Sequence, residues 1–123
     1  MVAVRGEKYL TKTAQYGLVY DRGRSWVNNL MVVKALPNGL DISRYGFSVS
    51  RRVGKAVVRN RVRRLFREIL RQIILQAGWD IVFIARSPVS SVSYSELEGS
   101  VCGLLSQAGL LAREYEGACP GVN

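Results

Sequence analysis

The sequence of 123 residues contains no histidine. Histidine is the usual general base near neutral pH and a frequent metal ligand, so catalytic triads, zinc sites with histidine ligands and histidine nucleases are excluded. The two cysteines, Cys102 and Cys119, form neither a CxxC pair nor a zinc-binding spacing. Acidic residues are few, and Asp21, Asp41 and Asp80 are interpreted as scattered loop residues exposed to solvent. We therefore expect no catalytic residues and no acidic cluster that holds metal ions.

Long apolar segments are also scarce. The most apolar stretch, residues 69–85, is interrupted by polar and charged side chains, whereas a transmembrane helix needs ~20 apolar residues. Residues 1–13 alternate apolar and charged types, so we expect no secretory leader. Two cysteines in such a chain are typical of a reducing compartment, which predicts a cytoplasmic protein with Cys102 as a small core residue.

Positive charge is what the chain has in excess. Lysine and arginine number 18 against 9 acidic residues, and the sequence pI is near 10.2. Such a surplus on a small protein indicates a polyanionic partner, first nucleic acid and second an anionic membrane surface. The hydrophobic fraction of 48% is sufficient for a core, so we expect one domain over residues 1–116 and a flexible tail over 117–123.

The periodicity of apolar residues predicts an alternation of helices and strands. Residues 7–20 are expected to form a short helix, and residues 30–36 and 45–49 two strands. The turn sequence Pro37-Asn38-Gly39 between the strands favours an antiparallel hairpin. A long helix is predicted over residues 56–77, ended by Gly78. A buried strand over 80–85 and a last helix, opened by the capping box Ser93–Glu96, complete an α+β or α/β sandwich.

The long helix carries the densest positive charge. On a helical projection its apolar residues occupy one stripe, from roughly −20° to +80° about Val58. Arg63, Arg67 and Arg64 fall on the opposite side with Asn60, at roughly 140° to 240°. Neighbouring arginines repel one another, and arginine binds phosphate in a bidentate manner. This pattern favours an RNA-binding face over a merely solvated basic face. Asn60 is assigned either a hydrogen-bonding role or a role at the helix start.

The central block of the chain resembles the protein component of bacterial ribonuclease P. Residues 45–67 read YGFSVSRRVGKAVVRNRVRRLFR, and Arg59-Asn60-Arg61 matches the RNR motif of that family. Residues 81–88 (IVFIARSP) and 93–97 (SYSEL) are similar to a later strand and to the start of the last helix. Leu10, Tyr16, Val19 and Tyr20 are similar to the first helix, and the resemblance covers about residues 7–115.

The resemblance implies a fold and a function. The fold would be α+β in the order αβββαβα, with helices packed on a small mixed four-stranded sheet. It would be of the ribosomal-protein-S5-domain-2-like type and would contain an unusual left-handed βαβ crossover. The function would be to assist a catalytic RNA that, with magnesium, hydrolyses the 5′ leader from precursor tRNA. Partners would be that RNA and precursor tRNA, with no obligate protein partner, no membrane and no cofactor bound by the protein alone.

The resemblance also assigns two RNA-binding surfaces by position. The catalytic RNA would be bound by Arg51, Arg52, Lys55, Arg59, Asn60, Arg61, Arg63, Arg64 and Arg67. The 5′ leader would be bound in a cleft by Lys12, Tyr16, Tyr20, Lys34 and Tyr45. Tyrosines stand at positions 16 and 20 where the family often has phenylalanine, which still permits stacking on an unpaired base. Tyr16 and Tyr20 could equally be ordinary core residues.

Two other functions remain compatible with the residues. A non-enzymatic RNA-binding protein, such as a ribosomal protein, would need the same basic charge. It would not require an aromatic cleft beside an RNR helix. A membrane-surface helix is the third hypothesis, and it is disfavoured because a core of this size needs the apolar face of the long helix.

Overall fold

The structure is a computed structural model that describes residues 4–5 and 9–112. A four-stranded sheet forms its centre, and three α-helices pack on the two sheet faces. In chain order, the elements are β1 (Val4–Arg5), α1 (Thr13–Arg22), β2 (Arg24–Val27), β3 (Met31–Pro37), β4 (Arg44–Ser48), α2 (Ala56–Gln72), β5 (Ile74–Leu75), β6 (Trp79–Ala85), a 3-10 helix (Ser87–Ser91) and α3 (Tyr94–Ala108).

The sheet has the strand order β2-β3-β6-β4. Strands β2, β3 and β6 are antiparallel neighbours, and β4 is parallel to β6. The mixed four-stranded sheet with three helices confirms the predicted α+β class. The parallel pair β4 and β6 is joined through α2, which is the crossover unit that the resemblance implies. The left-handedness of that crossover stays a prediction.

The predicted hairpin of β3 and β4 is wrong, because β6 lies between the two strands. The turn at Asn38 does form, and its side-chain oxygen accepts a hydrogen bond from the backbone N–H of Leu40 at 2.8 Å. The chain then crosses the end of the sheet, where Asp80 at the start of β6 binds one residue from each neighbouring strand segment. These are Asn38, which follows β3, and Arg44, the first residue of β4. The Asp80 carboxylate accepts two hydrogen bonds from Arg44, at 2.8 and 2.7 Å, and a third from Asn38 at 3.0 Å.

Asp80 was interpreted from the sequence as an exposed loop residue, and this is wrong as well. It is 6% exposed and forms an ion pair with Arg44. The hydrogen bonds to Asp80 raise the pKa of the Arg44 guanidinium above its ordinary value. A buried carboxylate is tolerated here because its oxygens are satisfied by charged and amide donors.

The larger core lies between the sheet and the helices α2 and α3. Alternate residues of the strands point to this side. Among them, Phe47 of β4 and Phe83 of β6 contact each other and the ring of Phe66 from α2. Cys102 is fully buried there, as predicted. The smaller core, formed by Leu10, Val19 and Val82, lies between α1 and the opposite face of the sheet.

Several element boundaries differ from the expectations. Helix α1 begins at Thr13, because Gln15 accepts hydrogen bonds from the backbone N–H groups of Thr11 and Lys12 at 3.1 Å each. Residues 9–10 instead follow the edge of β4, where Leu10 donates to the carbonyl of Tyr45 at 2.9 Å. Residues 7–8 of the predicted helix, and the predicted tail 117–123, lie outside the described residues.

Helix α2 ends at Gln72, five residues before the predicted end. The following segment is extended, and Ile74 and Leu75 pair with β1 and with Leu111 near the other end of the described chain. The apolar pattern of these residues fits helix and strand equally. The segment forms a strand because it pairs with residues that are distant in the sequence. The order αβββαβα implied a third strand before the long helix, but no residue range was predicted for it, and the structure places it as β2. Its turn into β3 is closed by Asn28, which accepts hydrogen bonds from the backbone of Leu30 and Met31.

The capping box at the start of α3 is confirmed. The Ser93 hydroxyl accepts from the backbone N–H of Glu96 at 3.2 Å, and Glu96 accepts from the backbone N–H of Ser93 at 3.3 Å. None of the described helices combines the length and the apolar character that spanning a membrane requires.

Candidate nucleic-acid interface

A cavity of about 370 Å³ opens between α1, the edge of β4 and α2. Hereafter it is called the cleft. Its walls combine three aromatic rings with two guanidinium groups, and this composition suits an unpaired nucleotide. The residues that line it are Tyr9, Leu10, Tyr16, Gly46, Phe47, Arg63 and Arg67.

Tyr16 forms the wall of the cleft that belongs to α1. Its ring packs against the smaller core, so it serves both packing and the cleft wall. Its hydroxyl donates a hydrogen bond to the carbonyl of Leu10 at 3.3 Å. Burial raises the pKa of the Tyr16 hydroxyl above its ordinary value of 10.0, and the neighbouring Tyr20 raises it further. A hydrogen bond with the backbone of Phe47 acts in the opposite direction on this pKa.

The other residues predicted for the leader lie outside the lining of the cleft. Tyr20 is exposed one turn beyond Tyr16, with 6.5 Å between the ring centroids. Lys12 is exposed at the start of α1. Lys34 is half-buried on β3, opposite Val82 of β6. These three residues are near α1 or its sheet face, but the structure does not bring them into the cavity.

Tyr45 requires a correction. Its side chain is 0% exposed, so in this structure its ring is not available for stacking on a nucleotide. The ring instead contacts the ring of Tyr9 edge-on at 5.0 Å and the ring of Phe47 at 5.5 Å. Tyr45 points to the core because residues alternate along β4, and it supports the two aromatic residues that do line the cleft.

Phe47 and Tyr9 were missed from the sequence. Phe47 shares the core side of β4 with Tyr45, but β4 is the edge strand, so part of its ring reaches the cleft. Tyr9 is 41% exposed beside it. The only available signal was the alternation of aromatic residues at 45 and 47, and alternation does not show which strand lies at the edge.

The arginines of α2 do not form one uniform face. Arg63 and Arg67, predicted to contact the catalytic RNA, line the cleft. Arg63 is oriented by Asn60, whose side-chain oxygen accepts a hydrogen bond from it at 3.0 Å. Arg63 also donates to the carbonyl of Val49 at 3.5 Å. The hydrogen-bonding role of Asn60 is thus to hold a cleft arginine in place.

The arginines on either side of Asn60 are partly engaged by the fold. Arg61 donates to the carbonyl of Val92, which precedes α3, at 3.3 Å. The Nε atom of Arg59 is buried and has no hydrogen-bond partner among the described residues. Both side chains are half-buried, so only part of each guanidinium faces solvent.

Four of the basic residues predicted to bind the catalytic RNA are exposed and lie outside the lining of the cleft. None of their charged groups makes a hydrogen bond or ion pair within the described part of the chain. Hereafter this group is called the outer basic surface, and it consists of Arg51, Arg52, Lys55 and Arg64.

A second cavity, of about 450 Å³, lies beyond the carboxyl ends of β4 and β6. Arg52 contributes to its wall together with Arg86, which the sequence did not single out. Arg86 donates to the carbonyl of Asn28 at 2.9 Å, and the Ser87 hydroxyl donates to the carbonyl of Arg52 at 3.3 Å. The Ser87 contact joins the loop before α2 to the segment after β6, and the Arg86 contact joins that segment to the turn between β2 and β3. Arg86 therefore extends the basic surface past the RNR helix.

Metal ligands do not cluster in the described residues, where no three His, Cys, Asp or Glu side chains come together. The described surface offers guanidinium groups that can bind phosphates and aromatic rings that can stack on bases.

The sequence is similar to those of known RNA-binding proteins, which is consistent with a surface suited to nucleic acid. The family model described as Ribonuclease P matches residues 5–109. The Ribonuclease P protein component of Dehalococcoides mccartyi is 47% identical over 107 residues, which cover 87% of this chain and 89% of that protein. That of Clostridium kluyveri is 43% identical over 105 residues, covering 82% and 94%.

The fold is also similar to those of solved protein structures. The RNase P protein of Staphylococcus aureus superposes with a TM-score of 0.77 at 30% identity, covering 85% of this chain and 97% of that one. The RNase P protein of Thermotoga maritima gives 0.74 at 33% identity, covering 82% and 97%. The alternative of a ribosomal protein is not favoured by these similarities.

Proposed function

Because this chain belongs to the family of ribonuclease P protein components, the RNA-binding subunits of a tRNA-processing ribonuclease, we propose that its two basic regions bind two different RNAs. The cleft binds the unpaired 5′ leader of precursor tRNA. The outer basic surface binds the catalytic RNA of ribonuclease P. The protein thereby holds substrate and ribozyme together, and the hydrolysis itself takes place on the RNA.

The composition of the cleft carries the proposal for the leader. A single-stranded RNA offers flat bases and a charged backbone, and proteins bind it by stacking the bases on aromatic rings beside cationic groups. The rings of Tyr16 and Phe47 face the same cavity as Arg63 and Arg67. A double-stranded or mature tRNA end would present its bases already stacked, so the cleft favours the precursor.

The exposure of the outer basic surface supports its assignment to the catalytic RNA. Guanidinium groups without partners in the described part of the chain are available for bidentate contact with phosphates, and each such contact releases counterions. A folded RNA presents many phosphates at fixed positions, which suits a surface with several dispersed arginines. Stacking residues are not needed for this contact.

Magnesium belongs to the RNA in this proposal. Mg²⁺ prefers oxygen ligands, mainly carboxylates and phosphates, and residues 9–112 bring no carboxylate cluster together. Magnesium held by the RNA would stabilise the charge that develops during hydrolysis. The contribution of the protein is to bring the leader close, which lowers the concentration of magnesium that the reaction requires. We also propose a cytoplasmic location.

The test is a cleavage assay with the matching catalytic RNA. Precursor tRNA is incubated with this RNA over a range of magnesium concentrations, with and without the protein. We expect the protein to lower the magnesium requirement and to make precursor tRNA bind more tightly than mature tRNA. An unchanged magnesium requirement would contradict the proposed function.

Two arginines of α2 provide a matched pair for the cleft. Arg67 and Arg71 are both exposed on the same helix, but only Arg67 lines the cleft. Arg67→Ala should reduce the preference for precursor over mature tRNA, because one phosphate contact to the leader is lost. Arg71→Ala should leave this preference unchanged. Equal effects of the two substitutions would show that the cleft does not hold the leader.

A further inference from the structure

Gly46 lies in the middle of β4, where the distal end of the Tyr16 ring occupies the space of a side chain. A Cβ atom built on Gly46 would lie 2.1 Å from the Tyr16 hydroxyl oxygen, 2.6 Å from Cζ and 2.9 Å from Cε1. Carbon atoms in ordinary contact are about 3.5–4.0 Å apart. Any residue other than glycine at this position would therefore displace the Tyr16 ring.

Backbone conformation does not explain this glycine. Gly46 pairs in register with Val82 of β6, and glycine inside a strand weakens it. A positive φ, which would favour glycine, is found among the described glycines only at positions 39, 54, 78 and 109. What Gly46 provides is space for the ring.

The position of the ring has consequences for the cleft. With its distal end over Gly46, the Tyr16 hydroxyl reaches the carbonyl of Leu10 at 3.3 Å. Leu10 is in turn bound to β4 through the carbonyl of Tyr45. The ring is thus held at its outer end as well as at its attachment to α1, and its hydroxyl is used by the protein backbone. What the cleft offers to a ligand is therefore the aromatic surface of Tyr16.

We infer that Gly46 is a positioning residue that holds the Tyr16 ring in place as a stacking wall for an unpaired nucleotide of the leader. The inference rests on the proposed function of the cleft. Gly46 itself makes no contact through a side chain, so its effect on RNA is exerted through Tyr16.

Gly46→Ala tests the inference in the assembled ribonucleoprotein. The methyl group should push the ring out of place and lower the affinity for precursor tRNA. The loss of one base-stacking contact corresponds to roughly 5-fold to 150-fold. The affinity for mature tRNA, which lacks the leader, should stay unchanged. A purely structural defect would lower both affinities.

Gly103→Ala is the matched control. Gly103 lies in α3, and a Cβ atom there would have no heavy atom within 4 Å apart from its chain neighbours and the nearby backbone of its own helix. The same glycine-to-alanine change should leave both affinities as in the unmodified protein. If Gly46→Ala also retained the unmodified affinity for precursor tRNA, the inference would be overturned.

A double variant keeps the inference testable if Gly46→Ala does not fold. Tyr16→Ala removes the ring that the methyl group would meet, so Gly46→Ala should cause no further loss of stability in that background. Thermal unfolding of Tyr16→Ala and of the double variant measures this. A double variant that is clearly less stable than Tyr16→Ala would show that Gly46 acts independently of Tyr16 and would overturn the inference.

The same variants separate this inference from the proposed function. If Tyr16→Ala lowers the affinity for precursor tRNA but Gly46→Ala does not, only the positioning role fails. If Tyr16→Ala leaves this affinity unchanged, leader binding at Tyr16 fails. In that case the unfolding measurements still decide whether Gly46 positions the ring.

Discussion

The cleft and the outer basic surface use the same side chain, arginine, in two different settings. In the cleft, Arg63 is oriented by hydrogen bonds to Asn60 and to the carbonyl of Val49, and aromatic rings line the same cavity. On the outer basic surface, Arg64 is exposed with no such partner in the described chain. Binding at an exposed arginine depends mainly on charge, whereas the cleft adds shape and stacking.

This difference separates two kinds of recognition. Contacts between exposed arginines and phosphates are sensitive to salt and insensitive to whether an RNA is paired. Stacking on a fixed ring requires a base that is free of its own stack, and it depends less on salt. The two regions should therefore respond differently to substitution, ionic strength and pH.

Among substitutions of the polar residues of α2, the largest effect is expected on the outer basic surface. Arg64→Ala should reduce the slope of log K against log salt for the catalytic RNA by roughly one, which is about tenfold in affinity at ~0.1 M salt. The discrimination between precursor and mature tRNA should stay as it was. Filter binding over a salt series measures both quantities. An unchanged slope would place Arg64 outside the interface and remove the distinction between the regions.

A smaller effect is expected for Asn60→Ala. The substitution removes the 3.0 Å hydrogen bond that orients Arg63 but leaves the charge of the helix unchanged. Affinity for precursor tRNA should fall roughly 2-fold to 10-fold, which corresponds to one hydrogen bond of about 0.5–1.5 kcal/mol. The salt slope should hardly change. A slope that falls as for Arg64→Ala would instead indicate a direct loss of phosphate contact.

The smallest effect concerns the contribution of the Tyr16 hydroxyl to the pH dependence of the stability of the folded protein. Because the pKa of its hydroxyl is raised in the folded protein, the folded state holds this proton more tightly than the unfolded chain. The resulting stability is fully present below the unfolded pKa and is lost as the pH rises through the folded pKa. Thermal unfolding above pH 9 to 10 should show this loss for the unmodified protein.

Tyr16→Phe is the control for this pH dependence. It keeps the ring in the cleft but has no proton to lose, so its stability should fall less steeply over the same alkaline range. Identical profiles for the two proteins would mean that the folded environment does not retain the Tyr16 proton.

The local sequence pattern correctly predicted the features that depend on contacts between residues close together in the sequence. The apolar stripe of α2, from Val58 to Ile69, indicated a helix packed on a sheet, and Ser93 and Glu96 indicated the start of α3. In each case the interaction joins residues three or four positions apart, which is the spacing that a helix brings together. The class of partner followed from the arginine density and from the RNR motif.

The sequence pattern gave wrong or incomplete predictions where contacts between residues distant in the sequence determine the structure. The boundary of α2 was set by pairing of Ile74 and Leu75 with both ends of the described chain. Likewise, a helical projection of α2 showed Arg63 opposite the apolar stripe but could not show that α1 and β4 would enclose it. A projection contains one helix only, whereas a cleft is formed by three elements.

The sequence by itself determined that this is a basic protein with helices packed on a small sheet and, through its RNR motif, to which family it is similar. Only the tertiary structure decided that β6 separates β3 from β4, that Tyr45 is buried and that Phe47 and Tyr9 line the cleft. The physical reason is that these outcomes depend on contacts across the fold. Asp80 binds Arg44 from 36 positions away in the chain, and no local periodicity encodes that bond.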